Sequence, residues 1–186
     1  MLIRPPSADN LHPTAKRRTP AIMQRLPPRT LAVFAALGAA AALGIAYASE
    51  IWGELVPCAL CLQERWPYRL VIALGLVAAI APARWVRWLL MLALIALLAD
   101  AAIAAVHVGV EFGWWPSPLP ECMAPHVSGA TIAERLASMP ARPSKACEDP
   151  TFLIPGLPLS MAAMNMLFAL GFAAVLAMGL RGRRGS

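Results

Sequence analysis

The sequence predicts an all-α membrane protein: a four-helix transmembrane bundle with one long loop that carries a short amphipathic helix. Three observations predict it. Of 186 residues, 59% are hydrophobic and only 14% charged, a balance foreign to soluble domains. Four stretches approach the roughly 20 apolar residues that cross a hydrocarbon core. The basic residues gather on one side of these stretches and the cysteines on the other.

The four spans are expected at about 30–48, 63–82, 88–110 and 157–180 within a single membrane domain, residues 29–182. Backbone groups in lipid must be satisfied internally, so each span reads as a helix; the alternation of lipid-facing barrel strands is absent. Arg69 falls early in the second span and is expected to snorkel to the interface. Asp100 falls inside the third. It reads either as part of a proton path or as a neutral interhelical contact, for example with Asn165, and the sequence leaves both open.

Charge orients the bundle. Arg4, Lys16, Arg17, Arg18, Arg25 and Arg29 precede the first span, Arg84 and Arg87 separate the second and third, and Arg181, Arg183 and Arg184 follow the fourth. With four spans these segments share a face, and the positive-inside rule makes that face, and both termini, cytoplasmic. Residues 1–28, rich in Pro and Arg, are expected to be a disordered cytoplasmic extension, with Met23 an alternative start, and 183–186 a cytoplasmic tail. A rival reading takes Leu31 to Ile45 as the apolar region of a signal peptide, with Ala46-Tyr47-Ala48 as its cleavage site. It would leave three spans and move the last basic tail to the wrong face. The same distribution turns the net charge of +6 away from nucleic acid.

The outer loops cover about 49–58 and 111–156. In the longer one, Thr131 and Glu134 form a capping-box pattern at the start of "TIAERLASM", with Ile132, Leu136 and Met139 along one side. This helix is either plain surface or a segment that lies on the membrane or grips a partner.

All four cysteines, Cys58, Cys61, Cys122 and Cys147, belong to the outer face, where disulfides persist. Three pairings are open. The simplest is Cys58–Cys61 with Cys122–Cys147. A Cys122–Cys147 staple would contribute about 3–4 kcal/mol by closing its loop, but a Cys58–Cys61 ring restrains little chain. A four-cysteine zinc site usually needs two close-spaced pairs, and Cys122 and Cys147 stand apart. Redox chemistry suits the pattern better. In "PCALCLQER", Cys58 and Cys61 stand where a helix begins, and a helix start favours the thiolate. Cys58, Cys61 and Arg65 fall on one helix face.

"PCALCLQER" at the head of a second span, "PSPLPEC" in the long loop, and the further Cys147 together resemble the disulfide bond formation protein B (DsbB) family. The resemblance runs from about Leu31 to Leu180. It implies a quinone-dependent thiol oxidase of the bacterial inner membrane, with periplasmic loops, that reoxidises a periplasmic thioredoxin-like dithiol oxidase of DsbA type. By position, Cys122 would form the mixed disulfide with the partner, Cys147 would relay to Cys58, and Cys61 would face ubiquinone or menaquinone. Arg65 matches the arginine that contacts the quinone. His107, heading an H-x-x-x-E run to Glu111, matches a histidine near the ring. No metal is implied. Pro67 is expected to delay the regular part of the second helix. Two alternatives stand beside this: a vitamin K epoxide reductase-like quinone-linked thiol protein, and a non-catalytic membrane protein with structural disulfides or a zinc site made by all four cysteines.

Overall fold

A computed structural model describes residues 27–122, 129–138, 145–154 and 156–181. Most of the expected N-terminal extension, the C-terminal tail, and Met139 lie outside them. The described residues form helices without a strand: α1 (Pro28–Ile51), α2 (Ala59–Ile80), α3 (Ala83–Glu111), a 3₁₀ turn (Pro120–Cys122), α4 (Ile132–Ala137) and α5 (Met161–Arg181). The four long helices pack as a bundle, α1 on α2, α2 on α3, and α3 on α5, with α1 also touching α3 and α5. Three of them, α1, α3 and α5, are long and apolar enough to cross a membrane. The fourth, α2, carries Glu64, Arg65 and Arg69.

Local chemistry sets the helix ends. Pro28 opens α1 at the first helical position, where its missing N–H costs nothing. Cys58 caps α2: its Sγ accepts the Cys61 N–H at 3.2 Å. The helix therefore begins at Ala59 and runs unbroken through Pro67; the late start expected from that proline is not found. A proline in the third turn deletes one backbone bond, to Gln63, and the flanking turns hold. α3 starts at Ala83, earlier than the expected 88, because Pro82 breaks the chain and leaves Arg84 and Arg87 in the first turns. α5 starts later than 157. Pro158 keeps the preceding residue extended, and Ser160 Oγ accepts the Ala163 N–H at 3.2 Å. α4 has the capping box read from the sequence. Thr131 Oγ1 accepts the Glu134 N–H, and Glu134 Oε2 accepts the Thr131 N–H. Ile132 and Leu136 on it are exposed.

The packing suits lipid. Leu37, Ile45, Leu70, Leu76, Ile95 and Leu98 face outward, while Glu64, Arg65, Asp100 and His107 are buried. Small residues bring the backbones together. Leu31, Ala32, Ala35, Ala36 and Ala39 make the buried stripe of α1. Gly75 of α2 lies against that stripe so closely that a Cβ there would sit 2.8 Å from the Ala32 carbonyl oxygen and 2.9 Å from Ala36 Cβ. Leu31, Val71, Leu90, Leu97 and Leu176 fill the remaining core.

Candidate active site

The site forms at one end of the bundle, where α2 begins, α3 ends, and the long loop folds over both. Cys58 is the cap residue of α2 and Cys61 its third helical residue, so one turn brings their sulfurs to 2.7 Å. They are free thiols. The expected Cys58–Cys61 bridge is open, the gap being wider than the ~2.05 Å of a disulfide. The Cys61 thiol first, and its amide after burial has opposed the effect, draw Cys58 below the ordinary thiol range.

Cys122 and Cys147 form a disulfide, as the simplest pairing expects. The Cys147 N–H also donates to the Cys122 carbonyl at 3.2 Å. Lys145, two residues earlier, makes a parallel bridge with Cys58. One buried cluster results, containing Cys58, Leu60, Val110, Cys122 and Cys147. Cys147 is 0% exposed and Cys122 2%. The loop pair thus sits on the Cys58 side of the thiol pair, shielded from water.

Behind the thiols lies a polar network that joins three helices. His107 of α3 points Nε2 at Cys58 Sγ, 3.4 Å away, and Nδ1 at Glu64 Oε1, 2.7 Å away. A neutral ring that donates its Nδ1–H to Glu64 leaves Nε2 to accept the Cys58 proton. Glu64 Oε2 accepts from Asn165 Nδ2 of α5 at 2.9 Å. The same amide nitrogen donates to Asp100 Oδ2 at 3.3 Å, and Tyr68 OH donates to Asn165 Oδ1 at 2.6 Å. Asp100 is fully buried and its Oδ1 has no partner among the described residues. The contact with Asn165 anticipated for it is present.

On the other side of α2 is a cavity of about 240 Å³ between α1, α2 and α5. Its walls are mainly apolar, among them Ala42, Ile45, Leu153, Met164 and Phe168, and Cys61, Glu64, Arg65 and Asn165 also line it. Arg65 pairs with Glu50 Oε2 at 2.8 Å, off the hydrogen-bond direction, and its guanidinium stacks 4.7 Å from the Tyr47 ring centroid. Arg69 Nη2 donates to Tyr47 OH at 2.7 Å.

Of the residues singled out from sequence, Cys61 and Arg65 line this cavity. His107 does not. It stands behind the sulfur pair, on Cys58. A quinone ring fits such walls: apolar surface for the ring, a thiol at one edge, and a cation with acidic and amide groups for its oxygens. Cys58, Cys61 and His107 offer three donor atoms within 4.8 Å, one short of a closed structural zinc site. Cys122 and Cys147 are joined to each other, which leaves no set of four free cysteines for zinc. The sequence reading missed Glu64 as the centre of the network, with Tyr68 around it and Glu50 and Tyr47 around Arg65. An acid inside a span was the available signal for Glu64.

Comparison with curated proteins and with solved structures gives no match. The family model described as disulfide bond formation protein DsbB matches residues 28–179, a stretch that takes in all four cysteines, Arg65, His107 and nearly all of the four long helices. Joined to a close thiol pair, a buried loop disulfide and apolar helices, this match identifies the chain as a member of the DsbB family, a membrane disulfide oxidoreductase with redox cysteines.

Proposed function

We propose that the chain reoxidises a periplasmic thioredoxin-like dithiol oxidase of DsbA type and delivers the electrons to a membrane quinone. The family is quinone-linked and DsbA-linked in general. The observation that carries the reading for this chain is the order of groups: loop disulfide, Cys58, Cys61, then the Arg65-lined cavity.

The steps balance as follows. A partner thiolate attacks Cys122, the Cys122–Cys147 bond breaks, and Cys147 leaves as a thiolate. The partner's second thiol then releases Cys122, and the partner departs oxidised. Cys147 attacks Cys58 of an oxidised Cys58–Cys61 pair, Cys61 leaves as a thiolate, and Cys122 resolves the mixed disulfide. The loop bridge is restored, and two electrons rest on Cys58 and Cys61. A quinone, when bound, supplies a two-electron, two-proton acceptor. Cys61 donates from the cavity wall. Arg65, fixed by Glu50 and the Tyr47 ring, stabilises negative charge on the acceptor oxygen. The loop pair is almost fully buried, so the partner reaches Cys122 only when the loop lifts.

Four crossings are part of this proposal. The charged groups of α2 meet partners inside the bundle, Arg65 with Glu50, Arg69 with Tyr47, and Glu64 with His107 and Asn165. Such pairing lets a charged helix cross lipid. Both termini are then cytoplasmic, the long loop is periplasmic, and the protein belongs to the bacterial inner membrane.

The test is anaerobic mixing of purified protein with ubiquinone or menaquinone and a reduced CxxC partner, with quinone absorbance and partner thiols followed together. Stoichiometric loss of both is expected. Cys122→Ala should keep quinone binding and lose partner oxidation. Rapid turnover by that variant, or no quinone reduction by wild type, refutes the proposal.

A further inference from the structure

The two thiol protons have unequal routes to the acceptor. Cys61 lines the cavity and can release its own proton there. Cys58 does not line it and is only 3% exposed. Its proton has to pass through the protein. His107 meets Cys58 with Nε2 and Glu64 with Nδ1, the two sides of one ring. A proton taken at Nε2 allows the one on Nδ1 to leave toward Glu64. Glu64, in turn, is a wall residue of the cavity. We propose that Glu64 is a further catalytic residue, the proton carrier that connects Cys58, through His107, to the acceptor site.

This carrier role rests on the proposed quinone reduction. The balance is complete. Cys58–H and Cys61–H lose two electrons and two protons and form the Cys58–Cys61 bond, and the quinone becomes a quinol. One proton comes directly from Cys61. The other moves from Cys58 Sγ to His107 Nε2, from Nδ1 to Glu64 Oε1, and from Glu64 to the acceptor oxygen.

Other groups near the path serve it less well. Glu111 stands 4.0 Å from His107 on Nε2, the side that faces Cys58, and accepts from Ser160; it does not line the cavity. Asp100 reaches Glu64 only through the Asn165 amide, which holds its protons and passes none on. Tyr68 spends its hydroxyl on that amide. Arg65 is a fixed charge on the same wall. Asn165 anchors Oε2 of Glu64, and Oε1, which takes the proton from the imidazole, is the oxygen that carries it on.

Two measurements test this. The first needs no quinone. In protein carrying Cys61→Ser, Cys122→Ser and Cys147→Ser, the remaining Cys58 is titrated by thiolate absorbance. Glu64→Gln should move thiolate formation to higher pH, because the imidazolium loses the carboxylate in direct contact with it, and this outweighs relief of the more distant repulsion between that carboxylate and the thiolate. The second is single-turnover quinone reduction by prereduced protein, in water and in deuterium oxide. Glu64→Gln should slow it by about 10²–10⁴-fold, the usual contribution of a placed proton carrier, and far more than it slows exchange between Cys122 and the partner. Glu64→Asp should recover part of the rate. Unchanged thiolate titration, or wild-type quinone reduction in Glu64→Gln, overturns the proposal. Equal slowing of both steps without recovery in Glu64→Asp also overturns it, in favour of a structural role. A wild-type protein that reduces no quinone at all instead removes the function on which the carrier rests, and the Cys58 titration still reads the Cys58–His107–Glu64 link.

Discussion

Asn165→Ala probes whether the buried network holds the bundle together. The side chain makes three hydrogen bonds, with Tyr68, Glu64 and Asp100. Those partners are 4%, 7% and 0% exposed, so water does not replace what is lost. Interhelical hydrogen bonds in membrane proteins average about 0.6 kcal/mol, which makes three worth roughly 2 kcal/mol. Buried groups left without a partner cost about 1–3 kcal/mol each in soluble proteins, so the loss rises further where Glu64 and Asp100 fail to find another donor. The expected destabilisation is about 2–5 kcal/mol, spanning these two scales. The assay is reversible unfolding in mixed micelles, with helical circular dichroism as the signal. A double-mutant cycle with Tyr68→Phe separates the network from simple side-chain removal, and a coupling of about 0.5 kcal/mol or more is expected for groups in contact. A loss under about 0.5 kcal/mol, the range of an inconsequential surface change, together with no coupling, refutes the reasoning.

Gly75→Ala should destabilise by about 1–3 kcal/mol through overpacking, since its Cβ would strike the Ala32 backbone. Gly171→Ala, with nothing within 4 Å, should stabilise α5 by up to about 1 kcal/mol; the same micelle titration distinguishes them, and equal effects would contradict the helix contact described. Arg65→His should raise the KM for quinone more than that for the partner protein, read from steady-state kinetics, and an unchanged quinone KM would exclude Arg65 from the acceptor site. The backbone N–H groups of Thr131 and Ala130 hold the Glu134 carboxyl below its usual range. A depressed folded value stabilises α4 above the ordinary carboxylate range, near pH 4.3, and that support is lost as pH falls through the folded value. Hydrogen exchange at the Ala130 and Thr131 amides should therefore show less protection in acid, after correction for the intrinsic rate; a pH-independent protection factor would count against the capping box.

Four long helices were legible because lipid imposes a coarse rule: about 20 apolar residues, with charge at the ends. Helix limits were not, since they depend on single residues. The Cys58 sulfur caps α2, Pro82 starts α3 early, and Ser160 starts α5 late. The four cysteines and Arg65 could be singled out because their types and spacing carry the chemistry. The place of His107 could not. A helix position near an end tells which level a side chain occupies, but not whether it turns toward the cavity or toward Cys58. Glu64 shows the same limit from the other direction. It follows Cys61 by one turn, and the sequence gives its depth. Its bonds to His107 and Asn165 depend on how α3 and α5 pack against α2, which no local pattern specifies. The Asp100–Asn165 contact was readable because two polar side chains in otherwise apolar spans have few partners to choose from.

The charges of α2 also bear on how the protein is made. An arginine inside the membrane is costly unless it is paired, and α2 carries two near its cysteine end. The groups that accept them, Glu50 and the hydroxyl and ring of Tyr47, all belong to α1. A lone α2 leaving the ribosome has no such partners. Under the proposed four crossings, its entry into the bilayer is coupled to the preceding segment: α1, made first, carries the groups that α2 needs.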